Sequence, residues 1–194
     1  MADQLRRIVV WRRLDGLGIE HCSLAQDRSG WHIHGTVIRA EGYPLLVRYA
    51  VTCDAIWQTR TVEIAVERGT DTRTLRMTVG EDRRWWSEGT ELLAFRGCVD
   101  VDLGITPATN ILPIRRLNLA IGETQAVTAA WVQFPTLSTE ALPQRYTRLD
   151  ALRYHYESAD GAFTTEIMVD ELGLATQYVG GWERIAATGE TTGD

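Results

Sequence analysis

Apolar and polar positions alternate along this chain, with no sustained helical period. Trp31, Ile33 and Val37 fall on one face, and His32, His34 and Thr36 on the other. Leu45, Val47, Tyr49 and Val51 oppose Arg48 and Thr52, and Val62, Ile64 and Val66 oppose Thr61, Glu63 and Glu67. Leu75, Met77 and Val79 oppose Thr74, Arg76 and Thr78. The runs 117–121, 126–134, 152–158, 163–169 and 174–179 behave alike and are rich in strand-forming residues. Between runs stand turn formers: Asp27-Arg28-Ser29-Gly30, Glu41-Gly42-Tyr43-Pro44, Arg68-Gly69-Thr70-Asp71 and Ser158-Ala159-Asp160-Gly161. Each predicts a hairpin. About ten to thirteen strands at a spacing of about 8–12 residues predict an all-β, single-domain antiparallel barrel-like fold. It is expected to be closed or partly open, with at most two short helices.

One segment breaks the alternation. Gly104 to Pro113 carries two prolines, Pro107 and Pro113, each lacking a ladder donor, so it reads as an irregular crossing. A helical turn is expected within 138–144. Residues 1–186 are expected to form the domain, and the small, polar residues 187–194 a flexible tail.

Composition narrows the function classes. With 194 residues, 44% hydrophobic and 24% charged, the chain is neither disordered nor in need of a disulfide or metal to hold its core. Twenty basic against 26 acidic residues, net −6, exclude a general affinity for nucleic acid or anionic membranes. All 20 basic residues are arginine, which reads as codon bias. Three scattered cysteines with no CxxC spacing fit a reduced compartment. The N-terminal apolar run is too short for a signal peptide, and no run suffices for a transmembrane helix. A cytoplasmic location is expected.

Candidate chemistry is sparse. There is no GxSxG elbow, P-loop or GxGxxG. His32 and His34 form a His-x-His pair, a zinc-like spacing without an evident third ligand, so they read as outward strand residues. His21 and Cys22 point to opposite faces and form no dyad. Cys22 and Cys53 read as small buried hydrophobes. Asp100 and Asp102 share a strand face with Cys98, and an irregular segment leads on to Arg115 and Arg116. These four residues suit either a buried ion-pair network or a polar floor for a ligand. Seven tryptophans are available to line a cavity. Trp85 and Trp86 cannot both face the core. Arg60 shares the face of Val62, as a strand-end residue or a charged handle in a cavity.

Several blocks together resemble a known family. Gly18-Ile-Glu-His-Cys22, Cys53-Asp-x-x-Trp-x-Thr-Arg60, Gly97-Cys-x-Asp-Val-Asp-Leu103 and Thr106-Pro-x-Thr-Asn-x-Leu-Pro-Ile-Arg-Arg-Leu117 look like the putative glycolipid-binding family of bacteria. Ala130-Trp-Val-x-Phe-Pro135 and Trp182-x-Arg184 extend the match over nearly the whole chain. The resemblance implies a large barrel-like fold similar to periplasmic carriers of lipoproteins and lipids.

The expected function is therefore binding of a lipid or glycolipid-like molecule in an apolar cavity with a polar, Arg-lined end, without catalysis. Trp57, Arg60, Asp100, Asp102, Asn110, Arg115 and Arg116 are the expected ligand contacts. No cofactor, metal or nucleic-acid partner is expected, and the oligomeric state is left open. Two alternatives stand beside this. One is an enzyme acting on a small hydrophobic substrate by acid–base chemistry at Asp100, Asp102 and Arg115; the other is a protein-interaction module.

Overall fold

The alternation folds as strands, and the turn clusters join them. The computed structural model describes residues 4–188. The first half holds β1 (Gln4–Arg13), β2 (Gly18–Gln26), β3 (Trp31–Arg39), β4 (Leu45–Cys53), β5 (Thr59–Arg68), β6 (Asp71–Val79), β7 (Trp85–Ser87) and β8 (Thr90–Glu91). The second half holds β9 (Val101–Leu103), α1 (Ile111–Leu117), β10 (Thr124–Val132), β11 (Thr139–Arg148), β12 (Arg153–Ser158), β13 (Phe163–Val169), β14 (Ala175–Tyr178) and β15 (Trp182–Ala187). All these strands lie in one sheet, ordered β8-β7-β6-β5-β4-β3-β2-β1-β15-β14-β13-β12-β11-β10-β9. Neighbours are antiparallel except β9 and β10, which run parallel. The four predicted turn clusters join β2 to β3, β3 to β4, β5 to β6, and β12 to β13. Pairing of β1 with β15, from Val9 opposite Ala187 to Arg13 opposite Trp182, splices the two halves.

The sheet does not close, since β8 and β9 are its two ends. The β9 end instead lies against the first half. The Thr59 amide donates to the Val99 carbonyl at 3.3 Å, the Val101 amide to Thr59 Oγ1 at 3.2 Å, and Trp85 Nε1 to the Cys98 carbonyl at 2.9 Å. β9 is thereby bracketed between β10 and the first half. Val101 and Leu103 join the main apolar core with Ala130 and Val132, while Asp100 and Asp102 take the other face. The first half supplies an aliphatic interior, including Val9, Leu24, Ile33, Val47, Val51, Val62 and Met77, all fully or almost fully buried. Each such side chain contributes about 1.5–3 kcal/mol by leaving water.

Three local expectations are corrected. Residues 138–144 are not helical but mostly belong to β11, because Thr139 to Arg148 pair along β10 and β12. The crossing from Gly104 ends in a 3-10 turn, Ala108–Asn110, and then α1. Pro113 is accommodated as the third helical residue, where a missing amide costs no intrahelical bond. Residues 117–121 are not a strand; Asn118 caps α1 in the left-handed region at φ 44°. Trp85 is fully buried, whereas Trp86 is half-buried under the Arg84 guanidinium, 5.0 Å from its ring. Of the expected tail, Ala187 pairs with Val9 and the Thr188 amide bonds the Ile8 carbonyl at 2.9 Å; positions 189–194 lie outside the described residues.

Candidate functional site

A cavity of about 600 Å³ opens on the inner side of the second half. Its aromatic wall is Trp131 from β10, Tyr156 from β12, Phe163 from β13, Tyr178 from β14 and Trp182 from β15. Register puts these side chains together. Tyr156 and Phe163 flank the β12–β13 hairpin, Ile167 opposes Tyr178, and Tyr178 opposes Trp182. The Phe163 and Tyr178 rings stack 6.4 Å apart at 15°, and Tyr156 sits 6.2 Å and 6.3 Å from them. Trp131 spans Gly104, where a Cβ would come within 2.7 Å of its Nε1, so any other residue would push the ring aside.

The polar side of the cavity is Asp102. It stands beside Trp131 in the parallel ladder and accepts a hydrogen bond from Gln144 Nε2 at 2.5 Å. Tyr146 continues the network, donating toward Asn110 Oδ1 at 2.9 Å with Gln144 Oε1 at 3.3 Å. Burial pushes the Asp102 carboxyl up to about 6, only partly offset by Gln144. The part of Asp102 that is not covered by protein faces the cavity. Arg13, Asp15 and Glu140 also line the cavity. Arg13 holds both Asp15 oxygens, at 2.8 and 2.5 Å, and lies 5.4 Å from the Trp182 ring.

The expected contact residues separate into two sets. Asp102 and Asn110 line the cavity; Trp57, Arg60, Asp100, Arg115 and Arg116 do not. Arg116 forks onto Asp100 at 2.9 and 2.5 Å, so the expected ion pair exists, as a closed bidentate contact on a carboxylate that is 2% exposed. Burial raises the Asp100 pKa and Arg116 opposes it. Arg60 is held by Asp54 at 2.8 Å at the β4–β5 turn. Trp57, at φ 68°, stacks 4.2 Å from Trp31, and Arg115 covers its outer face at 5.8 Å. Acid–base chemistry by Asp100 with Asp102 is disfavoured, because both Asp100 oxygens are committed to Arg116.

A further buried carboxyl, Glu20, was not among the expected site residues. Glu20 is fully buried; its Oε1 accepts from Tyr49 at 2.5 Å and Thr106 at 2.7 Å, while Oε2 has no partner. Burial pushes its pKa up to about 8, so it is a neutral acid at pH 7. Tyr49 reaches it over Gly35, where a Cβ would lie 2.2 Å from the tyrosine ring. Cys22, Cys53 and Cys98 are free and buried, with thiol pKa values raised by burial. His32 lies 3.1 Å from Asp27, and the described residues contain no group of three His, Cys, Asp or Glu able to hold a metal.

The larger depression, about 780 Å³, lies on the outer face of β2 to β6. Its floor is small, with Ser23, Thr36, Ala50 and Ala65, and its arginines are paired: Arg48 with Glu67, and Arg76 with Glu63. It has no aromatic platform beyond the edge of Tyr49.

The family model described as Putative glycolipid-binding matches residues 8–184. The chain belongs to this family. A crystal structure of a DUF1089 family protein from Pseudomonas aeruginosa is similar, with TM-score 0.79 and 33% identity over 90% of this chain and 95% of that one. No match was found among curated proteins. In this chain, the sequence blocks that carried the resemblance meet in space. Glu20 from the first meets Thr106 from the fourth, Thr59 from the second meets the Val101 amide in the third, and Asp100 meets Arg116. Trp131, from the fifth block, closes over Gly104 and Asp102. Gln144, Tyr156, Phe163 and Tyr178 were not among the expected contacts; Gln144, Tyr156 and Tyr178 carried only their position in the alternation, which also fits plain core, and Phe163 is 46% exposed.

Proposed function

We propose that this protein holds one amphiphilic, lipid- or glycolipid-like molecule in the cavity of the second half, without covalent chemistry. The observation that carries the reading is the cavity itself: about 600 Å³, walled by five aromatic residues, with the Asp102 carboxylate beside Trp131. Mostly apolar pockets of roughly 300–1,000 Å³ with few polar groups are the usual form of small-molecule sites. The aromatic faces offer flat apolar area for ring or chain carbons. The family description supports a glycolipid-like ligand. Three free thiols support a reducing, cytoplasmic setting; no helix among the described residues is long and apolar enough to cross a membrane.

Native mass spectrometry of protein purified from its own host tests the reading. A bound mass released by organic solvent, and diminished in Trp131→Ala, is expected. An unliganded mass for both proteins, with no uptake of added amphiphiles, contradicts it.

A further inference from the structure

The expected Arg-lined end of the cavity is absent from the described residues, and what replaces it bears on the ligand. Of the ionisable groups lining the cavity, three are acids, Asp15, Asp102 and Glu140, and one is a base, Arg13. Arg13 is committed to both oxygens of Asp15, and Asp15 is held below its usual range by that contact. The arginines expected to meet a head group are spent elsewhere, Arg60 on Asp54 and Arg116 on Asp100, while Arg115 lies over Trp57. This leaves Asp102 and Glu140 as the charges open to a guest, and both are acceptors when ionised.

The neighbouring amides and hydroxyls do not reverse the sign. Gln144 gives an amide proton to Asp102 Oδ2, and Asn110 gives one to the Pro107 carbonyl at 3.2 Å. The Tyr146 hydroxyl points at Asn110. Gln144 and the Tyr146 hydroxyl are thus engaged within the protein, while Asp102 itself lines the cavity. A phosphate or sulfate head there would meet a like charge, with the one lining guanidinium, Arg13, already committed to Asp15. A head bearing hydroxyl donors would satisfy Asp102, and its ring carbons would lie against Trp131 or Tyr156.

Resting on the cavity reading above, we infer that the site selects uncharged, hydroxyl-bearing head groups and rejects anionic ones, with Asp102 as the selecting residue. The groups facing Asp102 are Trp131 from β10, Gln144 and Tyr146 from β11, Tyr156 from β12 and Tyr178 from β14, with Asp100 two residues back on its own strand. None of them is a base, so no neighbour answers the negative charge.

Three probes with one chain length decide the matter: octyl glucoside, octyl phosphate and octylammonium, titrated below micelle formation at pH 7.5 by calorimetry. The expected result is that the glucoside binds at least about tenfold more tightly than the phosphate. Asp102→Asn, which keeps the shape and removes the charge, then narrows that gap, while its urea midpoint shows that the fold is intact. Equal or tighter binding of the phosphate by the unaltered protein overturns the inference but leaves the cavity reading standing. Tightest binding of octylammonium overturns it too, since selection would then follow charge alone. Binding of none of the three overturns both readings.

Discussion

The two halves of the sheet share one alternation but differ in what stands at the inward positions. From β1 to β7 the inward residues are mainly Val, Ile, Leu, Met and Trp, and they close on one another. From β11 to β15 polar and aromatic residues are mixed in, with Gln144, Tyr146, Tyr154, Tyr156, Ser158 and Trp182 beside Ile167, Val169 and Ala175. Flexible or branched aliphatic side chains fill space completely. Planar rings with hydroxyl tips must reach partners, and they leave a cavity where the partners run out. The same contrast holds at closer range in Asp100 and Asp102. Asp100 is locked into an arginine fork and supports structure; Asp102 has only an amide and faces the cavity.

Breaking the closed member of that pair has the largest expected effect. Arg116→Ala leaves Asp100 buried without its counter-charge and costs about 3–5 kcal/mol in urea unfolding. A loss below about 1 kcal/mol would mean that water replaces the guanidinium freely. Truncation in the aliphatic half comes next. Ile33→Ala removes a fully buried side chain and costs about 2–5 kcal/mol, with amphiphile binding per folded molecule unchanged. If that variant lost binding while still folded, the two halves would be coupled and the division between them wrong.

Glu20 sharpens the comparison through pH. Its folded-state pKa is raised to about 8 from the usual 4.5, so between these values the folded chain holds a proton that the unfolded chain has released. Its contribution to stability is therefore largest at low pH and lost as pH rises through that window. Wild type should lose about 1.4 kcal/mol per pH unit relative to Glu20→Gln between roughly pH 5 and 8. Parallel stability–pH curves would contradict the buried neutral acid. Asp102→Asn has the smallest effect on stability. It removes a charge whose burial is unfavourable, so its unfolding free energy should stay within about 1 kcal/mol of wild type or rise.

The sequence showed the architecture well and the site poorly, for physical reasons. Strand periodicity and hairpin turns are local, so β2 to β6 and β12 to β13 were legible from the residues alone. The helix was hidden because prolines suppress helix in an isolated reading, although Pro113 falls within the first turn, where it is tolerated. The Asp100–Arg116 pair was legible as a pairing of chemical types, but its closure was not. Whether an arginine faces a carboxylate or a cavity depends on strands distant in sequence. Gln144 is 42 residues from Asp102, and nothing local marks it as that residue's partner.

The most direct test of the central claim is a crystal structure of the protein with octyl glucoside. The account predicts density in the cavity, with the sugar against Trp131 or Tyr156, a hydroxyl on Asp102, and the chain running toward Phe163 and Tyr178. Density on the outer groove over β2 to β6, with the inner cavity holding only water, would contradict it.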